Sequence, residues 1–326
     1  MIPPAGASRF LADAGWAGAQ ILPLAGDASF RRYFRVVDGS RRAVLMDAPP
    51  PHEDPRPFVS VGEWLCHHGF AAPTILARDL DQGLLLLEDF GDARLREHLD
   101  AAPQDEAPLY ARAVDLLAEL HRLPAQAELA PYDREVYQRE AGLVTEWFAD
   151  AAGLKVDEDG YVRAWDAVLP IAERDVAPVV TVLRDYHAEN IMLLPDLAHS
   201  HGLGLLDFQD ALAGHPAYDL VSLLQDARRD VSPEVEKAML ARYMAAVPVS
   251  ADFEAAYAVL GAQRNAKIIG IFTRLWKRDG KPRYLAYLPR MWGLLERDLA
   301  HPALAPVAEW FAANVPGEAR GELQAT

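Results

Sequence analysis

Two short apolar runs with a polar loop between them constrain this chain most. Val179-Val180-Thr181-Val182-Leu183 reads as a buried strand, and Gly204-Leu205-Leu206 reads as a second. The loop after the first run is Arg184-Asp185-Tyr186-His187-Ala188-Glu189-Asn190, and Asp207 ends the second. Asn190 follows Asp185 by five positions, and Asp207 follows Asn190 by seventeen. A lone loop Asp or Asn usually makes a turn. Placed in this order at two strand ends, the three match the parts of a phosphoryl-transfer site. Asp185 can accept the proton of an acceptor hydroxyl. The Asn190 carbonyl oxygen and the Asp207 carboxylate suit Mg²⁺, a hard cation that takes oxygen ligands. Such chemistry asks the protein for placement and charge rather than covalent steps.

The first ninety residues read as β-rich with one helix. Ile21–Leu24 is short and apolar, and the turn-like Gly26-Asp27-Ala28-Ser29 follows it. Phe30–Val37 alternates apolar with basic residues, Asp38-Gly39-Ser40 is a turn, and Ala43–Met46 is another strand. Phe58–His68 has helical spacing closed by Gly69, and Leu84–Leu87 is a four-leucine run. After Gly91 the pattern turns helical: Leu109, Ala113, Leu116, Leu117, Leu120 and Leu123 share a face, and Arg134–Ala151 reads as a further helix. The expected organisation is α+β and bilobal. Residues 1–90 form an N-terminal lobe, Glu88–Gly91 a hinge, and residues 91–326 a mainly helical C-terminal lobe.

Composition excludes several classes. A single cysteine, Cys66, among 326 residues permits neither an intrachain disulfide nor a cysteine-rich zinc site. A net charge of −16 argues against nonspecific nucleic-acid or anionic-membrane binding. No apolar stretch approaches the roughly 20 residues that cross a bilayer. The expectation is a cytoplasmic protein acting on a small molecule, with no nucleic acid, no membrane and no obligate protein partner.

These segments resemble the aminoglycoside phosphotransferase family, which has a protein-kinase-like fold. Gly26–Arg35, Val44–Pro50, Leu86–Asp92 and Leu206–Asp210 are similar to the bacterial kinases that phosphorylate the anomeric C1 hydroxyl of N-acetylmuramate and N-acetylglucosamine in peptidoglycan recycling. The resemblance covers about residues 20–300. It implies ATP and Mg²⁺ as cofactors and a sugar as acceptor. It puts Asp185 on the catalytic base and Asn190 and Asp207 on the metal ligands. Glu88, Asp89 and Phe90 fall on the adenine-contacting hinge. Gly26, Asp27, Ala28, Ser29 and Phe30 fall on the phosphate-covering loop, with Arg32 added to the nucleotide-binding set. The wider family's other acceptors, such as aminoglycosides, choline or homoserine, and a catalytically silent nucleotide-binding protein, are the alternatives.

The chain departs from the family pattern in two places. The usual Val-x-Lys reads Val44-Leu45-Met46, so the phosphate-pairing lysine is missing, and Glu63 is a misaligned candidate for its helix partner. Arg31, Arg32 or Arg35 can supply positive charge instead. Leu183 stands where a histidine usually precedes the base. His187 either touches the acceptor or braces the loop. His121 and Asp219 read as structural, with Asp219 capping a helix start, and His199 and His201 read as a solvated loop. Arg264–Arg278 is a basic helical segment in an acidic chain. Arg264, Lys267, Arg274 and Lys277 fall at three- and four-residue spacing. In the family the helical part builds the acceptor pocket, so Arg264 and Lys267 become candidates for a sugar carboxylate.

Overall fold

The structure is a computed structural model and describes residues 1–24, 30–173, 179–321 and 323. Gly26, Asp27, Ala28 and Ser29 lie outside the described residues. The chain forms two compact units, one of residues 1–104 and 189–211, the other of residues 105–188 and 212–326. Glu88–Gly91 falls inside the first unit.

Five strands make the sheet of the first unit: β1 (Gln20–Pro23), β2 (Arg32–Asp38), β3 (Arg41–Asp47), β4 (Ile75–Asp79) and β5 (Leu84–Glu88). Their order is β1-β2-β3-β5-β4, with every pairing antiparallel. Phe34 and Val36 of β2 and Ala43 and Leu45 of β3 alternate inward. They form a core with Leu84 and Leu86 and with Phe10, Leu11 and Trp16. Phe10 and Leu11 come from helix α1 (Ala7–Asp13). All four leucines of β5 are buried, which explains why that strand reads as an apolar run and not as an alternation. Helix α2 (Arg56–His67) presses on Phe208: Phe58 stacks on its ring at 4.8 Å. Helix α3 (Leu95–Ala101) follows the sheet.

The apolar runs on either side of the Asp185 loop are strands β6 (Val180–Val182) and β8 (Leu203–Leu205), but they do not pair with each other. Within the first unit, β7 (Ile191–Leu193) pairs with β8. Within the second, β6 pairs with β9 (Leu212–Gly214). A Cβ on Gly204 would lie 2.8 Å from the Phe90 ring, so the bare glycine lets Phe90 pack on β8.

The rest of the second unit is helical: α4 (Glu106–Leu120), α5 (Arg134–Ala141), α6 (Glu158–Val168), α7 (Pro170–Glu173), α8 (Ala217–Leu224), α9 (Pro233–Ala246), α10 (Phe253–Lys277), α11 (Leu288–Leu299) and α12 (Ala305–Asn314). The central α10 packs on α5, α8 and α11. The single helix expected over Arg134–Ala151 is divided into α5 and a π-helical turn, Val144–Ala149. Close contact with α10 accompanies the division, since a Cβ on Gly270 would lie 2.3 Å from the Leu143 backbone. The basic residues of α10 differ in exposure. Arg264 is buried, Lys267 and Arg274 are half-buried, and Lys277 is exposed.

Candidate active site

In the second unit, Asp185 sits in a tightly folded loop. Arg184 just before it has φ +70°, a left-handed conformation that is unusual for a side chain of this size. The buried Asp219 of α8 offsets that strain by accepting from the backbone N–H groups of Leu183 at 2.6 Å and Arg184 at 2.8 Å. Asp219 therefore braces this loop and does not cap its own helix. His121 lies 3.8 Å from it and bonds the Tyr243 hydroxyl at 2.7 Å. The buried Tyr186 hydroxyl donates to the Ala113 carbonyl at 2.8 Å, and Asp226 accepts from the Ala188 N–H at 3.2 Å. Neither Asp226 nor the reach of Asp219 into the loop was anticipated. Both bonds span more than thirty residues, and no local pattern around Asp219 in α8 or Asp226 just beyond it points to the loop.

Burial by itself would raise the Asp185 pKa. The neighbouring His187, Lys267, Arg264 and Arg184 outweigh it and hold the carboxyl below its ordinary value. His187 is 4% exposed and contacts Arg228 at 3.3 Å through Nε2. Burial pushes its pKa down to about 4, Asp226 and Asp185 opposing, Arg228 and Arg264 assisting. At neutral pH the ring is neutral. Lys267 bonds Glu140 at 2.9 Å and the Tyr218 hydroxyl at 3.4 Å, while Arg184 also pairs with Glu140. Glu140 is buried, yet Lys267 and Arg184 keep its pKa low. The Nη2 of Arg264 donates to Ser222 at 2.8 Å, and its buried Nη1 has no hydrogen-bond partner among the described residues.

In the first unit, Asn190 and Asp207 come together. The Leu206 N–H donates to the Asn190 carbonyl at 2.9 Å, and the Asn190 amide nitrogen lies 3.3 Å from Asp207 Oδ2. Asp207 has φ +59°, a second non-glycine residue in the left-handed region. Its Oδ1 accepts from Gln209 at 2.8 Å and lies 3.5 Å from Arg31. Turning the Asn190 amide about its Cβ–Cγ bond exchanges its nitrogen for its oxygen. The pair then offers a carboxamide and a carboxylate oxygen, a donor set that suits Mg²⁺. No cluster of three or more His, Cys, Asp or Glu side chains gathers to hold a metal among the described residues.

The nucleotide-side candidates are placed as follows. Phe30 is 65% exposed, stacks on His52 and donates its N–H to Glu53 at 3.1 Å. Arg32 donates to the buried Asp47 at 2.7 Å. Arg35 holds Asp89 at 2.7 Å and Asp92 at 2.9 Å, tying β2 to the segment after Glu88. Asp89 also accepts from the Gly91 N–H at 2.9 Å, and Glu88 bonds the Thr74 hydroxyl at 2.8 Å. Met46 is fully buried between Tyr33 and Leu85, and Glu63 pairs with Arg78 at 2.8 Å.

Residues 20–259 match the model of the phosphotransferase enzyme family. The chain belongs to that family. It is 38% identical to a Caulobacter vibrioides protein named N-acetylmuramate/N-acetylglucosamine kinase, over 96% of this chain and 97% of that one. A Pseudomonas aeruginosa protein of the same name is 40% identical, over 92% and 90%. Among solved structures, a choline/ethanolamine kinase family protein from Mesorhizobium loti superposes with a TM-score of 0.62 at 14% identity, covering 94% of this chain and 97% of that one. The ADP-bound aminoglycoside phosphotransferase APH(2'')-Ib gives 0.55 at 13%, covering 85% and 92%. The phosphotransferase therefore has the kinase-like α+β fold of those neighbours. None of its described helices is long and apolar enough to cross a membrane.

Proposed function

We propose that this phosphotransferase moves the γ-phosphoryl group of ATP to the C1 hydroxyl of N-acetylmuramate and N-acetylglucosamine, in the cytoplasm, as a step of peptidoglycan recycling. The sugar acceptor is supported by the relatives of that name, at 38% and 40% identity over nearly the whole chain. One observation carries the mechanism: Asp185 is a half-buried carboxylate that its neighbours keep ionised, in a loop braced by Asp219. Asp185 takes the proton of the anomeric hydroxyl, whose oxygen bonds the γ-phosphorus as the bond from that phosphorus to the β-γ bridging oxygen breaks. ADP leaves with the bridging oxygen. Mg²⁺ held by Asn190 and Asp207 would neutralise charge on the phosphate oxygens. Glu88, Asp89 and Phe90 supply the adenine-side contacts. The resemblance assigns Gly26–Phe30 to the phosphates.

Arg264 is the better candidate of the two cations for the lactyl carboxylate of N-acetylmuramate, because its buried Nη1 has no hydrogen-bond partner among the described residues whereas Lys267 already bonds Glu140. His187 fits the bracing role, being buried against Arg228. The test is an acceptor panel with labelled ATP: N-acetylmuramate, N-acetylglucosamine, choline and kanamycin. Acid-labile sugar phosphate from the first two supports the reading. Acid-stable product, or turnover of choline or kanamycin alone, sinks it. Arg264→Gln should lower kcat/KM for N-acetylmuramate about tenfold more than for N-acetylglucosamine.

A further inference from the structure

The first unit, residues 1–104 and 189–211, contains no lysine. Any side-chain cation that this unit offers a polyphosphate beyond histidine is an arginine. Arg32 is paired with Asp47, and Arg35 with Asp89 and Asp92. Arg31 is different. It is 9% exposed, and its Nη2 lies 3.5 Å from Oδ1 of Asp207, the carboxylate assigned to the metal.

A buried guanidinium beside a metal-ligand carboxylate has a specific electrostatic consequence. In the free protein it faces that carboxylate, with Asp210 and Glu53 as further acidic neighbours. When a divalent cation binds that carboxylate, two positive charges face each other in a poorly solvated place. Only an anion that touches both relieves the repulsion, and a polyphosphate does so: its oxygens accept from a guanidinium and also ligate the metal. Met46 cannot contribute here, since its side chain is apolar and fully buried in β3.

We propose that Arg31 is the phosphate-binding cation of this enzyme and that it couples metal to nucleotide, disfavouring the bare ion at Asp207 and favouring the ion together with a nucleoside polyphosphate. The inference rests on the ATP-dependent reading above.

The test uses binding, not turnover. Mn²⁺ alone is titrated by electron paramagnetic resonance, and Mg·ADP by calorimetry, on the full chain and on Arg31→Met. The variant should bind Mg·ADP about tenfold or more weakly, the loss of a charge-assisted bond, and Mn²⁺ alone several-fold more tightly. Arg31→Lys, which keeps the charge, should recover part of the Mg·ADP affinity; it also carries the test if the methionine variant does not fold. Unchanged Mg·ADP affinity overturns the proposal. Parallel loss of Mn²⁺ and Mg·ADP also overturns it, since Arg31 would then merely hold Asp207 in shape. If the unaltered protein binds no Mg·ADP, the ATP-dependent reading itself fails, and this inference with it.

Discussion

Asp185 and Asp207 are both carboxylates placed just beyond a three-residue strand, and both lie beside a left-handed backbone, but they are held by different means. The Asp185 loop is pinned by buried groups that bond its backbone and side chains: Asp219 to Leu183 and Arg184, Asp226 to Ala188, and Tyr186 to Ala113. Asp207 is held through its own side chain, by Asn190, Gln209 and Arg31. In the proposed role of base, Asp185 must keep one orientation toward a hydroxyl, and bonds that the reaction would not break suit that role. In the proposed role of metal ligand, Asp207 must exchange its partners for a cation, and side-chain contacts that a cation can displace suit that role.

This contrast can be broken by four measurements. Asp185→Asn should lower kcat by about 10²- to 10⁴-fold while Mg·ADP affinity stays within about twofold, because the base touches the acceptor. A variant with full turnover would remove Asp185 from that role. Asp219→Ala should destabilise the protein by about 2–5 kcal/mol, since two buried backbone N–H groups lose their acceptor. Asp207→Asn should cost less than about 1 kcal/mol in denaturant titrations and yet weaken Mg·ADP. Equal destabilisation by the two would erase the distinction between brace and ligand.

The third measurement is pH dependence. The folded pKa of His187, about 4, lies below its unfolded value near 6.5. On acidification the unfolded chain takes up the proton first. Stability from this residue is therefore complete above about pH 6.5 and is lost toward pH 4, by roughly 3 kcal/mol. His187→Gln should flatten part of the fall in Tm across that window. His215, which burial also pushes down to about 4, leaves a remainder. An unchanged slope would show that His187 is not buried as described. The smallest effect belongs to Tyr186→Phe, which removes one bond to the Ala113 carbonyl and should lower stability by about 1 kcal/mol.

The residues proposed to bear chemistry could be singled out because their order along the chain is itself the signal: Asp185, Asn190 and Asp207 are close in sequence and lie near apolar runs. The strands β2, β3 and β5 were legible because their patterns extend over five to seven residues. β7 and β9 were not, since three residues carry no alternation, and neither is marked, as β8 is, by an Asp of the Asp185-Asn190-Asp207 series just beyond it. The pairing of β6 with β9 and of β7 with β8 was hidden for the same reason. The bracing by Asp219 depends on a contact with backbone, which has no residue type to read. The burial of Arg264 could not be read from sequence, because helical spacing alone does not say which face is packed; the packing of α10 decides it.

The first unit is assembled from two separated stretches of chain, residues 1–104 and 189–211. During synthesis on a ribosome, the five-stranded sheet emerges well before β7 and β8. Until those two strands leave the exit tunnel, Phe90 lacks Gly204 as a packing partner and α2 lacks Phe208. A nascent chain stalled before residue 189 should therefore expose these apolar surfaces to chaperones, and one released after residue 211 should not.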